Sequence, residues 1–223
     1  MPAHFLGADR TALGRGKSGR RLIVLAAAAL ALLVAMALDT KVVVIGSAED
    51  AQPGVFSPEK FGAAEFPKIQ AGIEARAIDA QTLADAIAKD KDAAVKQYGV
   101  PTGTGGAEFS VKFTGVVGDA KSGVYAVAVS GIPDVISIQV QTGPAINGTD
   151  LRDATGMIKF GQFVNQIEYQ NAGSALNKEM KKQVLAKIDT ANLKGKTISV
   201  IGAFKPINPK KWLVTPVRLE VQP

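Results

Sequence analysis

Read as a string of apolar and polar positions, the chain changes rhythm several times. Residues 22–38 contain no charged or strongly polar side chain, and as a helix they approach the ~20 residues needed to cross hydrocarbon. The apolar tetrad 42–45 then gives way to a polar stretch with Gly46, Pro53 and Gly54, which predicts an extended segment and a linker. Ser57-Pro58-Glu59 starts a helix: serine caps it, proline takes the first turn where its missing N–H costs nothing, and the acid meets the positive helix end. Pro67 is expected to restart this helix, with Ile69, Ile73 and Ala77 on one face. Asp79 caps a second helix in which Leu83, Ile87 and Val95 recur until Gly99 stops it.

Beyond Pro101 and the run 102–106 the period falls to two. Phe109, Val111 and Phe113 alternate with polar residues, residues 123–130 place Val124, Ala126 and Ala128 opposite Tyr125, Val127 and Val129, and residues 135–140 form a third run. Segments 118–123 and 131–134 are the expected turns. After a polar stretch, residues 174–187 read as a helix with Leu176, Met180, Val184 and Leu185 apolar, and strands follow at 197–204 and 212–221. The fold class is therefore α+β. The order β-β-β-α-β-β is that of an OB-like five-stranded β-barrel, here preceded by two helices and an N-terminal transmembrane helix.

The expected organisation is a basic cytoplasmic tail at 1–21, an anchor or signal peptide at 22–38, and a linker at 39–56. A helical segment at 57–100 and an OB-like β domain at 107–223, with an insertion at 143–190, complete it. Arg10, Arg15, Lys17, Arg20 and Arg21 precede the apolar segment, whereas Lys41 is the single base in 39–56. The positive-inside bias therefore places the N-terminus in the cytoplasm and the rest in the periplasm, as a single-pass inner-membrane protein. Ala35-Met36-Ala37 has the small-x-small form of a signal-peptidase site, so cleavage after Ala37 stays open.

Composition narrows the function. The formal charge is +6, but the first 21 residues hold five of the 26 bases and one of the 20 acids, leaving 21 bases against 19 acids. A nearly neutral exported part has no electrostatic footprint for nucleic acid. Without cysteine there are no disulfides, thiolate metal sites or cysteine nucleophiles. The single histidine, His4, lies on the cytoplasmic side, so neither an exported Ser-His-Asp triad nor a histidine metal site is expected. No cofactor is implied. The glycine run at 103–106 lacks the lysine of a phosphate-binding loop and reads as a connector. Trp212, beside Lys210 and Lys211, reads as part of a hairpin tip, with contact to a partner or lipid head groups as the alternative.

The densest polar chemistry lies in blocks 141–153 and 160–171. Asn147, Thr149, Asp150, Arg152, Asn165, Gln166, Glu168 and Tyr169 are the candidate ligand-binding residues: amides and carboxylates offer the paired donors and acceptors a polyol needs, and Phe160, Phe163 or Tyr169 can pack on a sugar ring. The competing reading is scaffolding. Asn147-Gly148 signals a turn, Thr149 or Asp150 caps a short helical turn, and Arg152 pairs with a neighbouring Asp. Paired carboxylates among Asp150, Asp153 and Glu168 would be the requirement for a glycoside hydrolase. No catalytic residue is assigned.

The segments Phe113-Thr-Gly, 141–153, 160–169 and Asn208-Pro resemble those of the DUF2291 family of predicted periplasmic lipoproteins, over roughly residues 41–222. The resemblance implies no known enzyme activity and a genomic setting near sugar ABC-transporter genes. Where such proteins carry a lipobox ending in cysteine, this chain has Leu38-Asp39-Thr40 before Lys41, which favours a retained helix over a lipid. The first expectation is a non-enzymatic accessory protein contacting an ABC-transporter permease or solute-binding protein. The second is a periplasmic sugar-like binding domain, and the third a cell-envelope hydrolase.

Overall fold

The computed structural model describes residues 17–40, 55–103 and 105–223. The predicted extended tetrad at 42–45, most of the linker and most of the basic tail lie outside them. The chain divides into two compact units, Met1–Gln52 and Pro53–Pro223. In the first, α1 (Lys17–Asp39) carries a 19-residue stretch, Arg21–Asp39, of mean hydropathy 2.6. Its apolar side chains are exposed, whereas a helix that is apolar all round belongs in a protein core or a membrane.

The second unit begins with α2 (Pro58–Arg76), where the Ser57 side chain accepts from Lys60 N. The helix does not restart at Pro67 but runs through it. Packing overrides the local penalty: Phe66, Ile69 and Ile73 on either side are fully buried, while Pro67 itself faces outward. Gly62 lets α2 lie close against the later helix that carries Ala175, because a Cβ there would meet the Ala175 carbonyl oxygen at 2.8 Å. Two-residue β1 (Ile78–Asp79) follows. Asp79 caps α3 (Ala80–Lys89) as expected, but the second helix then splits. Asp90 accepts from Asp92 N and Ala93 N, so it opens a new helix, α4 (Lys91–Tyr98).

After β2 (Gly99–Pro101) comes the long β3 (Ala107–Lys121). The predicted turn at 118–123 is shorter than expected, since β3 continues through an irregularity between Val117 and Ala120. Only Ser122 and Gly123, both with positive φ, turn the chain into β4 (Val124–Ala128), the geometry of a two-residue hairpin. β5 is Ser137–Gln141, and the short helix α5 is Asp150–Asp153. The next helix, α6, starts at Gln166 rather than 174 and ends at Gln183, followed by a 3-10 turn at Leu185–Lys187. The strands β6 (Thr197–Phe204) and β7 (Lys211–Val221) complete the unit.

All seven strands belong to one sheet. β3 pairs with β4, β4 with β5, β5 in parallel with β7, β7 with β6, and β6 with β3, so five ladders return to their starting strand. β1 and β2 pair with the first half of β3. Phe109, Phe204 and Trp212 stack in the core, with ring centroids 5.9 and 4.7 Å apart. Trp212 is fully buried and its indole N–H donates to the Pro209 carbonyl. It is therefore a core residue, unavailable to a partner or to lipid.

The other side of the sheet is less uniform. Ser110 stands opposite Ala203, and Ala203 opposite Thr215, so the three share one face, together with Glu108 two positions before Ser110. On a strand with one wet face these would be the exposed phase; here Glu108, Ser110 and Thr215 are all buried. α5 reaches this patch, as the Asp150–Thr215 bond shows.

Candidate functional site

The site is built on α5. Thr149, just ahead of the helix, donates its hydroxyl to Asp153 Oδ2 at 2.8 Å. Arg152 grips the same carboxylate with two bonds, Nε to Oδ1 at 2.8 Å and a terminal nitrogen to Oδ2 at 3.0 Å. Its other terminal nitrogen donates to the Tyr169 carbonyl at 3.1 Å, and the guanidinium lies 3.6 Å from the centre of the Tyr169 ring. The Tyr169 hydroxyl donates to Asp153 Oδ1 at 3.3 Å, and burial followed by the Asp153 charge raises the pKa of that phenol above its usual range. A buried guanidinium is thus paired, hydrogen-bonded and stacked at once, the arrangement that compensates its desolvation.

Asp150 does not share this pair. Its Oδ2 accepts from the Thr215 hydroxyl at 2.8 Å, and that hydroxyl accepts in turn from Gln141 Nε2 at 2.8 Å. Burial raises the Asp150 carboxyl to about 6, with the Thr215 bond opposing and the Asp153 charge assisting. Glu108 goes further, to about 8, first through burial and then through the charges of Asp150 and Asp153, with Lys205 and Arg152 pulling the other way. Lys205 donates to the Thr102 hydroxyl at 3.1 Å. A cavity of about 480 Å³ opens beside the Arg152–Asp153–Tyr169 group, lined also by Thr102, Lys159 and Gln166 among others.

Of the eight candidates, the structure brings Thr149, Asp150, Arg152 and Tyr169 together, with Gln166 on the cavity wall. Asn165 and Glu168 are occupied otherwise. Asn165 accepts from Glu168 N as the N-cap of α6, and Glu168 accepts from Val164 N just ahead of that cap. Asn147 is exposed and takes part through its carbonyl, which Gln141 Nε2 approaches at 3.4 Å. Asn177 pins the adjacent loop by donating to the Gly148 carbonyl at 3.0 Å. Glu108, Ser110 and Thr215 were missed, because in an alternating strand they occupy the polar phase and nothing in their spacing marks that phase as covered. Among the described residues no group of acids or histidines is arranged to hold a metal ion.

The comparisons with known proteins follow the same division between fold and site. The family profile DUF2291, described as a predicted periplasmic lipoprotein, matches residues 26–220. The chain belongs to this family. For DUF2291 the description gives a compartment and no activity. No curated protein matches the sequence. Among solved structures, a crystal structure of an OB-fold protein from Thermotoga maritima aligns with a TM-score of 0.60 at 20% identity, covering 75% of this chain and 99% of the other. At that identity the likeness shows an OB-type fold and nothing about a ligand. The lipid implied by the family description has no cysteine to carry it in this DUF2291 chain.

Proposed function

We propose that this DUF2291 protein is a non-enzymatic periplasmic domain, a closed five-stranded barrel tethered to the inner membrane by its N-terminal helix, which binds a small hydroxyl-bearing molecule such as a sugar. The observation that carries this reading is the Arg152–Asp153–Tyr169 constellation in the cavity wall, where a guanidinium with N–H groups beyond those bound to Asp153 and the Tyr169 carbonyl, a carboxylate and an aromatic ring meet in one place. Such sets orient polyols, because each hydroxyl both donates and accepts while the ring covers an apolar sugar face. Hydrolysis is less well supported by the same residues: Asp153 is held by Arg152, and Glu168 is spent on the Val164 N–H. The return of the five ladders to β3 supports the barrel, and the apolar Arg21–Asp39 stretch supports the tether.

In this reading the domain serves an ABC-transporter permease or its solute-binding protein; the support is the genomic setting that the family resemblance implies. Thermal-shift measurements on the full chain in detergent, against pentoses, hexoses and nucleosides, test the binding. A rise in melting temperature with a sugar is expected, and no shift with any of them sinks it. For the partner, crosslinking in membranes should co-purify the transporter, whereas an uptake rate unchanged on deletion contradicts that role.

A further inference from the structure

Two buried side-chain atoms have no hydrogen-bond partner among the described residues: Glu108 Oε2 and Ser110 Oγ. Their residues are only 1% and 4% exposed. Leaving a buried polar atom unpaired costs about 1–3 kcal/mol, and native proteins that carry such atoms usually fill the space with water or with something they bind. Here the two stand two residues apart on β3 and point to the same side of the sheet. The cross-strand neighbour of Ser110 is Ala203, whose methyl group takes little room.

Neither residue lines the cavity already described, but the strand paired with Glu108 leads directly to its wall. Glu108 pairs with Val100 of β2, next to Pro101 and Thr102, which line the cavity wall together with Arg152 and Asp153. The charged groups acting on Glu108 are Asp150, Asp153 and Arg152 from α5 and Lys205 from the end of β6. Two acids and two bases balance, so neither a cation nor an anion is favoured. Burial keeps the Glu108 carboxyl protonated at neutral pH, and in that state both it and the Ser110 hydroxyl can donate and accept. That pair of ambivalent groups matches a hydroxyl.

We propose that Glu108 and Ser110 form the inner end of the ligand site and hold a hydroxyl of a neutral polyol, of the size of a monosaccharide, that enters past Arg152, Asp153 and Tyr169. This rests on the reading of the cavity as a ligand site. It adds two residues of β3 to those of the cavity wall, and it selects neutral ligands over charged ones.

The test is isothermal titration of the full chain in detergent with D-ribose, D-xylose, D-glucose and myo-inositol, for the wild type and for Glu108→Met, Glu108→Gln and Ser110→Ala. Wild type should bind at least one of them. Glu108→Met and Ser110→Ala should each weaken it about tenfold or more, the loss of one good hydrogen bond in a buried site. Glu108→Gln, which keeps a donor and an acceptor, should bind within about threefold of wild type at pH 6.5. Wild-type affinity should fall above pH 8 as Glu108 ionises, and Glu108→Gln should lack that fall. Misfolding does not explain these losses if the variants, relieved of an unpaired polar atom, melt no lower than wild type without ligand. Failure of wild type to bind any of the four overturns both this proposal and the cavity reading. Binding by wild type with unchanged affinities in Glu108→Met and Ser110→Ala overturns this proposal alone and assigns the two atoms to water.

Discussion

At the scale of single residues, Glu108 dominates the pH response. Its carboxyl ionises near 8 in the folded protein against an ordinary 4.5, so between those values the folded state holds a proton that the unfolded state has lost. Stability therefore falls as pH rises across that window and levels off above it. Asp150, raised from 3.8 to about 6, acts with the same sign over a lower window. For Glu108 the loss is on the order of 4 kcal/mol, and a domain of this size converts each kcal/mol into roughly 2–4 °C of melting temperature. Thermal melts of wild type should accordingly drop by about 8 °C or more from pH 5 to pH 8.5. Glu108→Gln should flatten the curve above pH 6; an unchanged slope there would show that Glu108 is not the group responsible. Arg152 is the other decisive residue. With its side chain 7% exposed and bidentate on Asp153, Arg152→Ala strands a buried carboxylate and should cost roughly 3 kcal/mol in chemical denaturation. Arg152→Lys should recover less than half, since an ammonium cannot make the fork. Full recovery by lysine would mean that charge alone matters.

At the scale of elements, local signals and tertiary packing divide the work. The start of α2 at Ser57-Pro58-Glu59, the cap at Asp79 and the alternation of Phe109, Val111 and Phe113 were all legible, because each depends on the backbone's own requirements. The first half of α6 was not. It reads Gln166-Ile-Glu-Tyr-Gln-Asn, and the face it buries begins with Ala172, Gly173 and Ala175, residues too small to produce a helical stripe. The site was half legible for a similar reason. Arg152 and its acids announced themselves as a cluster of polar residues in one loop, whereas Glu108 lies more than 40 positions upstream in the polar phase of β3, where its spacing gives no sign that it is buried. Pro67 shows the opposite conflict, a strong local signal that packing overrules. It removes the bond to the Ala63 carbonyl at an exposed position, so Pro67→Ala should stabilise the protein by about 1 kcal/mol or more without changing its helix content. Gly62 is the reverse case. Gly62→Ala places a Cβ 2.8 Å from the Ala175 carbonyl, which is backbone and cannot swing aside, and should cost about 1–3 kcal/mol by pushing α2 from α6. Melting curves of the two variants should therefore move in opposite directions, and a stabilised Gly62→Ala would show that the helices separate freely.

At the scale of the whole molecule, the question is what holds the DUF2291 domain at the membrane when the family's lipid-bearing cysteine is missing. Residues 35–37 have the composition of a signal-peptidase site, but composition is not presentation. Here they lie inside α1, which continues to Asp39, and Thr40 extends the helical bonding with both its N–H and its hydroxyl on the Met36 carbonyl, at 2.9 and 2.6 Å. A protease reads its substrate as an extended strand, and a helix that persists past the scissile position withholds it. The 19-residue apolar stretch, at mean hydropathy 2.6, is long enough to remain as a span with little tilt. The expected outcome is a protein that stays with the inner-membrane fraction after alkaline carbonate washing and whose intact mass includes residues 1–38. An N-terminus found at Leu38 would show cleavage instead. The freed domain would then have neither helix nor cysteine to hold it and should appear in the periplasmic extract, so one fractionation with N-terminal sequencing decides between the two.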